Sequence, residues 1–111
     1  MDGIYITALR TLPSGVILFD KEDSVVFWNN KAEIFLKDVN RPSLKLGGDL
    51  LEFHPESSHQ GVKAMLQAIK NGKKFPAKLL KGASSSFQVS YIGLFSSETE
   101  YVGIMQLIDF K

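Results

Sequence analysis

The chain has no cysteine, which excludes a disulfide framework, thiolate catalysis and cysteine-held metals. Charge of one sign is also missing: 13 basic and 12 acidic residues leave a net +1. They are mixed along the sequence, so no basic footprint points to direct nucleic-acid binding or an anionic membrane. The densest basic cluster, Lys70, Lys73 and Lys74, flanks Asn71-Gly72 and reads as a solvated helix end. No apolar run is long enough to cross a bilayer, and the N-terminus lacks the basic region and apolar core of a signal peptide. A soluble, cytoplasmic domain is the expectation.

Enzymatic constellations are equally sparse. Gly47-Gly48 and Gly93 stand in the wrong contexts for a phosphate-binding loop. Ser84-Ser85-Ser86 has no neighbouring histidine and no nucleophile-elbow glycines, so it reads as a hairpin turn. Glu33, Glu52 and Glu56 are not paired at a defined spacing. A role other than catalysis is expected.

What is present is core material. With 111 residues, 44% of them hydrophobic, the chain suits one domain around one core. Trp28 and the eight phenylalanines belong in that core, because no basic residues interleave with them to make a stacking platform.

In chain order, Ile4 to Leu12 carries apolar residues at helical spacing and stops at Pro13, so a short amphipathic helix is expected over residues 1–12, lying across the domain and available to a partner. Pro13-Ser14-Gly15 is a turn. Val16 to Asp20 and Val25 to Trp28 are strand-like runs around the polar Lys21-Glu22-Asp23-Ser24, an antiparallel hairpin. Asn29-Asn30 offers capping oxygens to a helix bearing Ala32, Ile34, Phe35 and Leu36. After a loop from Lys37 to Asp49, Leu50 to Phe53 leads into His54-Pro55-Glu56-Ser57-Ser58-His59. Three strands follow Gly72: Phe75 to Lys81, Phe87 to Phe95 and Tyr101 to Phe110. In the second, Phe87, Val89 and Tyr91 alternate with Gln88, Ser90 and Ile92, the period of a strand with one buried face. The pattern predicts an α+β fold: a five-stranded antiparallel sheet with helices on one face and a cavity between sheet and long helix.

That long helix is expected to begin at Pro55, where the missing N–H has no partner to lose and Glu56 suits the positive end of the dipole. Val62, Met65, Leu66 and Ile69 form its stripe, and Asn71-Gly72 is a left-handed stop. His54 stands just before it. Two roles are open to such a histidine: a helix cap or surface residue, or a ring nitrogen aimed at a metal or haem iron. His59 is expected on a solvated flank. Two histidines without cysteine do not make a zinc signature.

Leu12-Pro13-Ser14-Gly15-Val16-Ile17-Leu18-Phe19-Asp20, Val26-Phe27-Trp28-Asn29-Asn30-Lys31-Ala32-Glu33 and Gly103-Ile104-Met105-Gln106-Leu107-Ile108-Asp109, in that order and spacing, resemble a PAS domain over nearly the whole chain. Within that superfamily, His54-Pro55-Glu56-Ser57-Ser58 is similar to the His-Pro-Glu-x-Ser segment of haem-binding PAS domains of bacterial carbon-monoxide-responsive regulators. The resemblance implies a sensory domain holding haem b, with His54 as the iron ligand and Phe53, Leu79 and Met105 also at the cofactor. It implies a diatomic gas (CO, NO or O2) or a redox change as the signal, a homodimer, and an attached or separate output domain. Those regulators carry a methionine on the strand after the long helix as the opposite axial ligand. Here Phe75-Pro76-Ala77-Lys78-Leu79-Leu80 holds none, leaving Met105, a water or an open position on that side. Because the chain ends directly after Asp109-Phe110-Lys111, a segment of a longer regulator is expected. The alternatives are a cofactor-free interaction module with Phe19, Phe35, Phe53 and Phe87 filling its interior, dimerising through the N-terminal helix and outer sheet face, or a pocket for another small ligand, such as an organic acid met by Arg41, Lys45 or His59.

Overall fold

The computed structural model describes residues 3–111, so residues 1 and 2 of the expected N-terminal helix lie outside the described residues. Helix α1 spans Gly3–Thr11. The hairpin of β1 (Gly15–Asp20) and β2 (Val25–Trp28) leads into α2 (Asn30–Asp38). Two 3-10 turns, Leu50–Phe53 and Glu56–Ser58, precede α3 (His59–Lys70), and β3 (Lys78–Lys81), β4 (Ser86–Phe95) and β5 (Tyr101–Phe110) complete the chain.

The strands form one antiparallel sheet in the order β2-β1-β5-β4-β3. The expected α+β architecture is therefore present, with the last strand threaded between the N-terminal hairpin and β4. Its inner face carries Ile17 and Phe19 from β1, Ile104 and Ile108 from β5, and Phe87 and Val89 from β4. Onto these pack Phe35 and Leu36 of α2, Leu50 and Phe53, and Leu66 and Ile69 of α3. Each such side chain stabilises the fold by about 1.5–3 kcal/mol of burial. Phe87 meets the edge of Phe35 at 4.9 Å between ring centres.

Local chemistry explains the element ends. The Asp20 carboxylate accepts from the Glu22 and Ser24 N–H groups and closes the hairpin. Asn29 caps α2 by accepting from Ala32 N–H. Gly72, at φ +86°, ends α3 as a left-handed residue.

Two expected boundaries differ by several residues. The helix does not begin at Pro55: a separate 3-10 turn follows the proline, and α3 opens at His59. Strand β3 starts at Lys78 rather than Phe75, since Pro76 has no N–H for the ladder. Helix α1 buries none of its residues, and its Leu9 carbonyl accepts from the Asn29 side chain. Among the described residues no helix is long and apolar enough to cross a membrane.

Candidate functional site

His54 sits between the two 3-10 turns in extended backbone, φ −122° and ψ 146°, the conformation a following proline favours. Its peptide surroundings are pinned. The His54 N–H donates to Leu51 O at 3.1 Å. The Arg41 guanidinium donates to Phe53 O at 2.9 Å, and His59 Nε2–H donates to His54 O at 3.0 Å. Arg41 and His59, candidates for a ligand carboxylate in the sequence, thus hold the His54 loop, while Lys45 stays exposed.

The ring is fixed as firmly. Nδ1 lies 3.0 Å from Leu50 O and Nε2 lies 2.7 Å from the Tyr91 hydroxyl. A carbonyl only accepts, so Nδ1 carries the proton and, in the neutral ring, Nε2 is an acceptor taking the Tyr91 O–H. Burial pulls the imidazole below its ordinary value; the Leu50 bond opposes this, and the neighbouring charge of Arg41, with smaller effects from His59 and Lys78, adds to it. Burial likewise pushes the Tyr91 phenol upward. Both partners are neutral near physiological pH.

Tyr91 reaches His54 from the inner face of β4. In register it stands opposite Gln106 of β5, which is 6% exposed and pairs on its other side with Ile17. The His54–Tyr91 pair and Gln106 thus place polar groups on the inner side of the sheet. Neither Tyr91 nor Gln106 stood out as functional in the sequence. The available signal was Tyr91's place on the Phe87, Val89, Tyr91 face, because a tyrosine on a buried strand face needs a partner for its hydroxyl.

The other candidate residues are dispersed. Phe53 is buried in the core beside His54. Met105 does not approach it: in register with Leu18 and Ile92, it lies on the outer sheet face, opposite the core. Leu79 is also misplaced, being 75% exposed opposite Gln88 on the edge strand, while Leu80, opposite Phe87, packs on the core. One residue of parity separates the two.

As an iron ligand, His54 has suitable donor chemistry: a neutral imidazole whose Nδ1–H is held by a carbonyl and whose Nε2 lone pair faces the interior. Among the described residues no three His, Asp or Glu side chains gather to hold a metal ion. The expected cavity between sheet and long helix is filled by core side chains instead. Small-molecule pockets occupy about 300–1,000 Å³. One open cleft, about 170 Å³, is lined by Glu33, Leu36, Lys37, Arg41, Ser43 and Leu44. Another, about 340 Å³, lies against the Gly82–Ser86 turn and Lys111. His54 lines neither.

No family model and no curated protein matches the chain. Solved structures do. The C-terminal domain of a Streptococcus mutans protein superposes with TM-score 0.78 at 16% identity, over 96% of this chain and 81% of that one. A PAS domain from Colwellia psychrerythraea gives 0.72 at 11%, covering 97% and 94%. The Aer2 receptor of Vibrio cholerae, a dual PAS-haem oxygen sensor, gives 0.59 at 20%, covering 87% and 93%. The fold of this chain is the PAS fold.

Proposed function

We propose that this chain is a sensory PAS domain that binds haem b with His54 as axial ligand and relays a diatomic gas (CO, NO or O2) or a redox change to an output. One observation supports this reading: the Leu50 carbonyl sets the tautomer of His54 and turns the Nε2 lone pair to the interior, where it now accepts from the Tyr91 hydroxyl. The neutral ring is the ligating form, and the Leu50 carbonyl raises its basicity. Arg41 and His59 hold the peptide on either side, limiting the reorganisation that ligation requires. When bound, haem supplies an iron able to take up a diatomic gas or an electron. The haem-bearing Aer2 neighbour supports the reading at the level of fold.

A second reading is favoured by the packed interior. Phe19, Phe35, Phe53 and Phe87 are all buried, as expected of a cofactor-free interaction module, and α1 and the outer sheet face expose Ile4, Tyr5, Ile92 and Val102 to a second copy.

Absorption spectra of the protein with hemin, oxidised, reduced and reduced under carbon monoxide, decide between the two. The haem reading expects a sharp Soret band that shifts with carbon monoxide and collapses in His54→Ala. A broad band like free hemin in both proteins, together with concentration-dependent dimerisation in sedimentation, overturns it in favour of the interaction module.

A further inference from the structure

We propose that the free edge of β3 is a docking site for an extended acidic segment of a partner protein, which adds to the sheet as a further strand beside Lys78–Lys81. The strand order leaves β3 at one end of the sheet, and the ladder shows which of its backbone groups face outward. Gly82 N–H donates to Ser85 O at 2.8 Å, whereas Ser86 O accepts from Lys111 N–H at 2.9 Å, on the side of β5. Hydrogen-bonded and non-bonded pairs alternate along an antiparallel ladder. Leu80–Phe87 and Lys78–Val89 are therefore bonded across to β4, and Lys81–Ser86 and Leu79–Gln88 are not. The N–H and C=O groups of Leu79 and Lys81 point away from the sheet, spaced to receive a strand.

Charge selects the occupant. The chain as a whole is nearly neutral, yet the segment from Ser57 to Ser97 holds six lysines and neither Asp nor Glu. Lys70 is held by Asp23, but Lys73, Lys74, Lys78 and Lys81 stand exposed on β3 or just before it. Lysines on an edge repel another edge of the same charge. They bar a second copy of β3 and draw in an acidic strand. Register then sets the side-chain pattern. Leu79, 75% exposed, shares the outer face with Lys81, while Lys78 lies on the side of Leu80. The matching segment places acidic residues beside Lys78 and Lys81 and one apolar residue against Leu79. Its main chain supplies the bonds, and these three side chains supply the choice of sequence.

The probe is a fluorescein-labelled peptide of about eight residues, glutamates around one central valine, followed by fluorescence anisotropy at low salt. The wild type is expected to bind it, more weakly as salt rises, and to ignore the same peptide with lysines for glutamates. Lys78→Glu with Lys81→Glu should weaken binding about five- to tenfold. Leu79→Pro deletes the outward N–H while leaving the bonds to β4, and should weaken it too; the thermal midpoint reports that both variants fold. In hydrogen exchange, the Leu79 and Lys81 amides should be fast in the free protein and slow with peptide, whereas those of Lys78 and Leu80 are slow in both. Equal binding by a peptide N-methylated at every residue, which keeps the charge but cannot donate, overturns strand addition. Equal binding by the lysine peptide, or no binding of the glutamate peptide, overturns the acidic partner. Protection of Leu79 and Lys81 that rises with protein concentration alone assigns the edge to a second copy and overturns the proposal.

Discussion

The Asp38 carboxylate accepts both the N–H of Ser84, at 2.9 Å, and its hydroxyl, at 2.5 Å. Its other oxygen accepts from Ser85 N–H, and its carbonyl from Ala83 N–H. The end of α2 thereby holds the β3–β4 turn 46 residues away. The Ser84 hydroxyl, followed by the two backbone donors, keeps this carboxyl below its ordinary value against a smaller opposing effect of burial. A depressed folded-state pKa stabilises above the unfolded value, and the contribution is lost as pH falls through the folded one. Asp38→Asn should therefore lower the urea midpoint more at about pH 7 than at about pH 3, because the deficit shrinks as pH falls below the ordinary Asp value of about 3.9. An equal deficit at both pH values would contradict the charge-based account.

Asn29 is buried with all four bonds made: Oδ1 accepts from Val16 and Ala32 N–H, and Nδ2 donates to Leu9 and Ser14 O. Asn29→Ala leaves these partners unmatched and is expected to destabilise by about 2–4 kcal/mol. Asn29→Asp keeps the cap but turns a charge toward two carbonyls, so it should also be clearly destabilising. Urea unfolding measures both, and a loss below about 0.5 kcal/mol in either, the scale of a surface change, would refute this.

At Gly103 a Cβ would collide with the Phe19 carbonyl oxygen on the paired strand. Gly103→Ala should cost about 1–3 kcal/mol through displacement of β5 from β1. A thermal midpoint equal to that of the wild type would show that the strands separate freely there.

Burial, then the carboxylates of Asp23 and Asp20, push the Tyr101 phenol up to about 12. Among the described residues its buried hydroxyl has no hydrogen-bond partner. A raised folded-state pKa in an acid favours the neutral form on folding. This contribution is whole below the unfolded value of about 10 and is lost as pH rises through the folded one. Urea midpoints should fall above about pH 10, less steeply in Tyr101→Phe. Parallel decline in the two proteins would dismiss Tyr101 as a cause.

Leu79 and Leu80 differ by one residue and by one face of the sheet. Leu79→Ser should stay within about 0.5 kcal/mol of the wild type, whereas Leu80→Ser should cost about 1–3 kcal/mol by placing a hydroxyl against the core. Equal effects would mean that β3 pairs with β4 in a different register.

Much of the secondary structure was legible because its signals are local. The strands Val25–Trp28 and Tyr101–Phe110 lie where their composition placed them. Asn29 caps α2, and Asn71-Gly72 ends α3, since a cap or stop needs only neighbours along the chain. Expectations failed where the answer depended on a strand's partner. Met105 lies in a strand that was correctly delimited, yet its side of the sheet follows from pairing with Leu18 and Ile92. Leu79 failed by the same parity, and a one-residue choice inverts a face.

By itself the sequence determined the order of elements, the single apolar core, and the pinned backbone of His54 beside Pro55, all consequences of composition, periodicity and neighbouring residues. Only the tertiary structure decided what the His54 ring meets. The Leu50 carbonyl was within local reach, but the Tyr91 hydroxyl arrives from a strand 37 residues on. Bringing it there requires β4 to pair with β5 and the helical layer to close over the sheet, and long-range contacts of that kind leave no mark in the spacing of nearby residues.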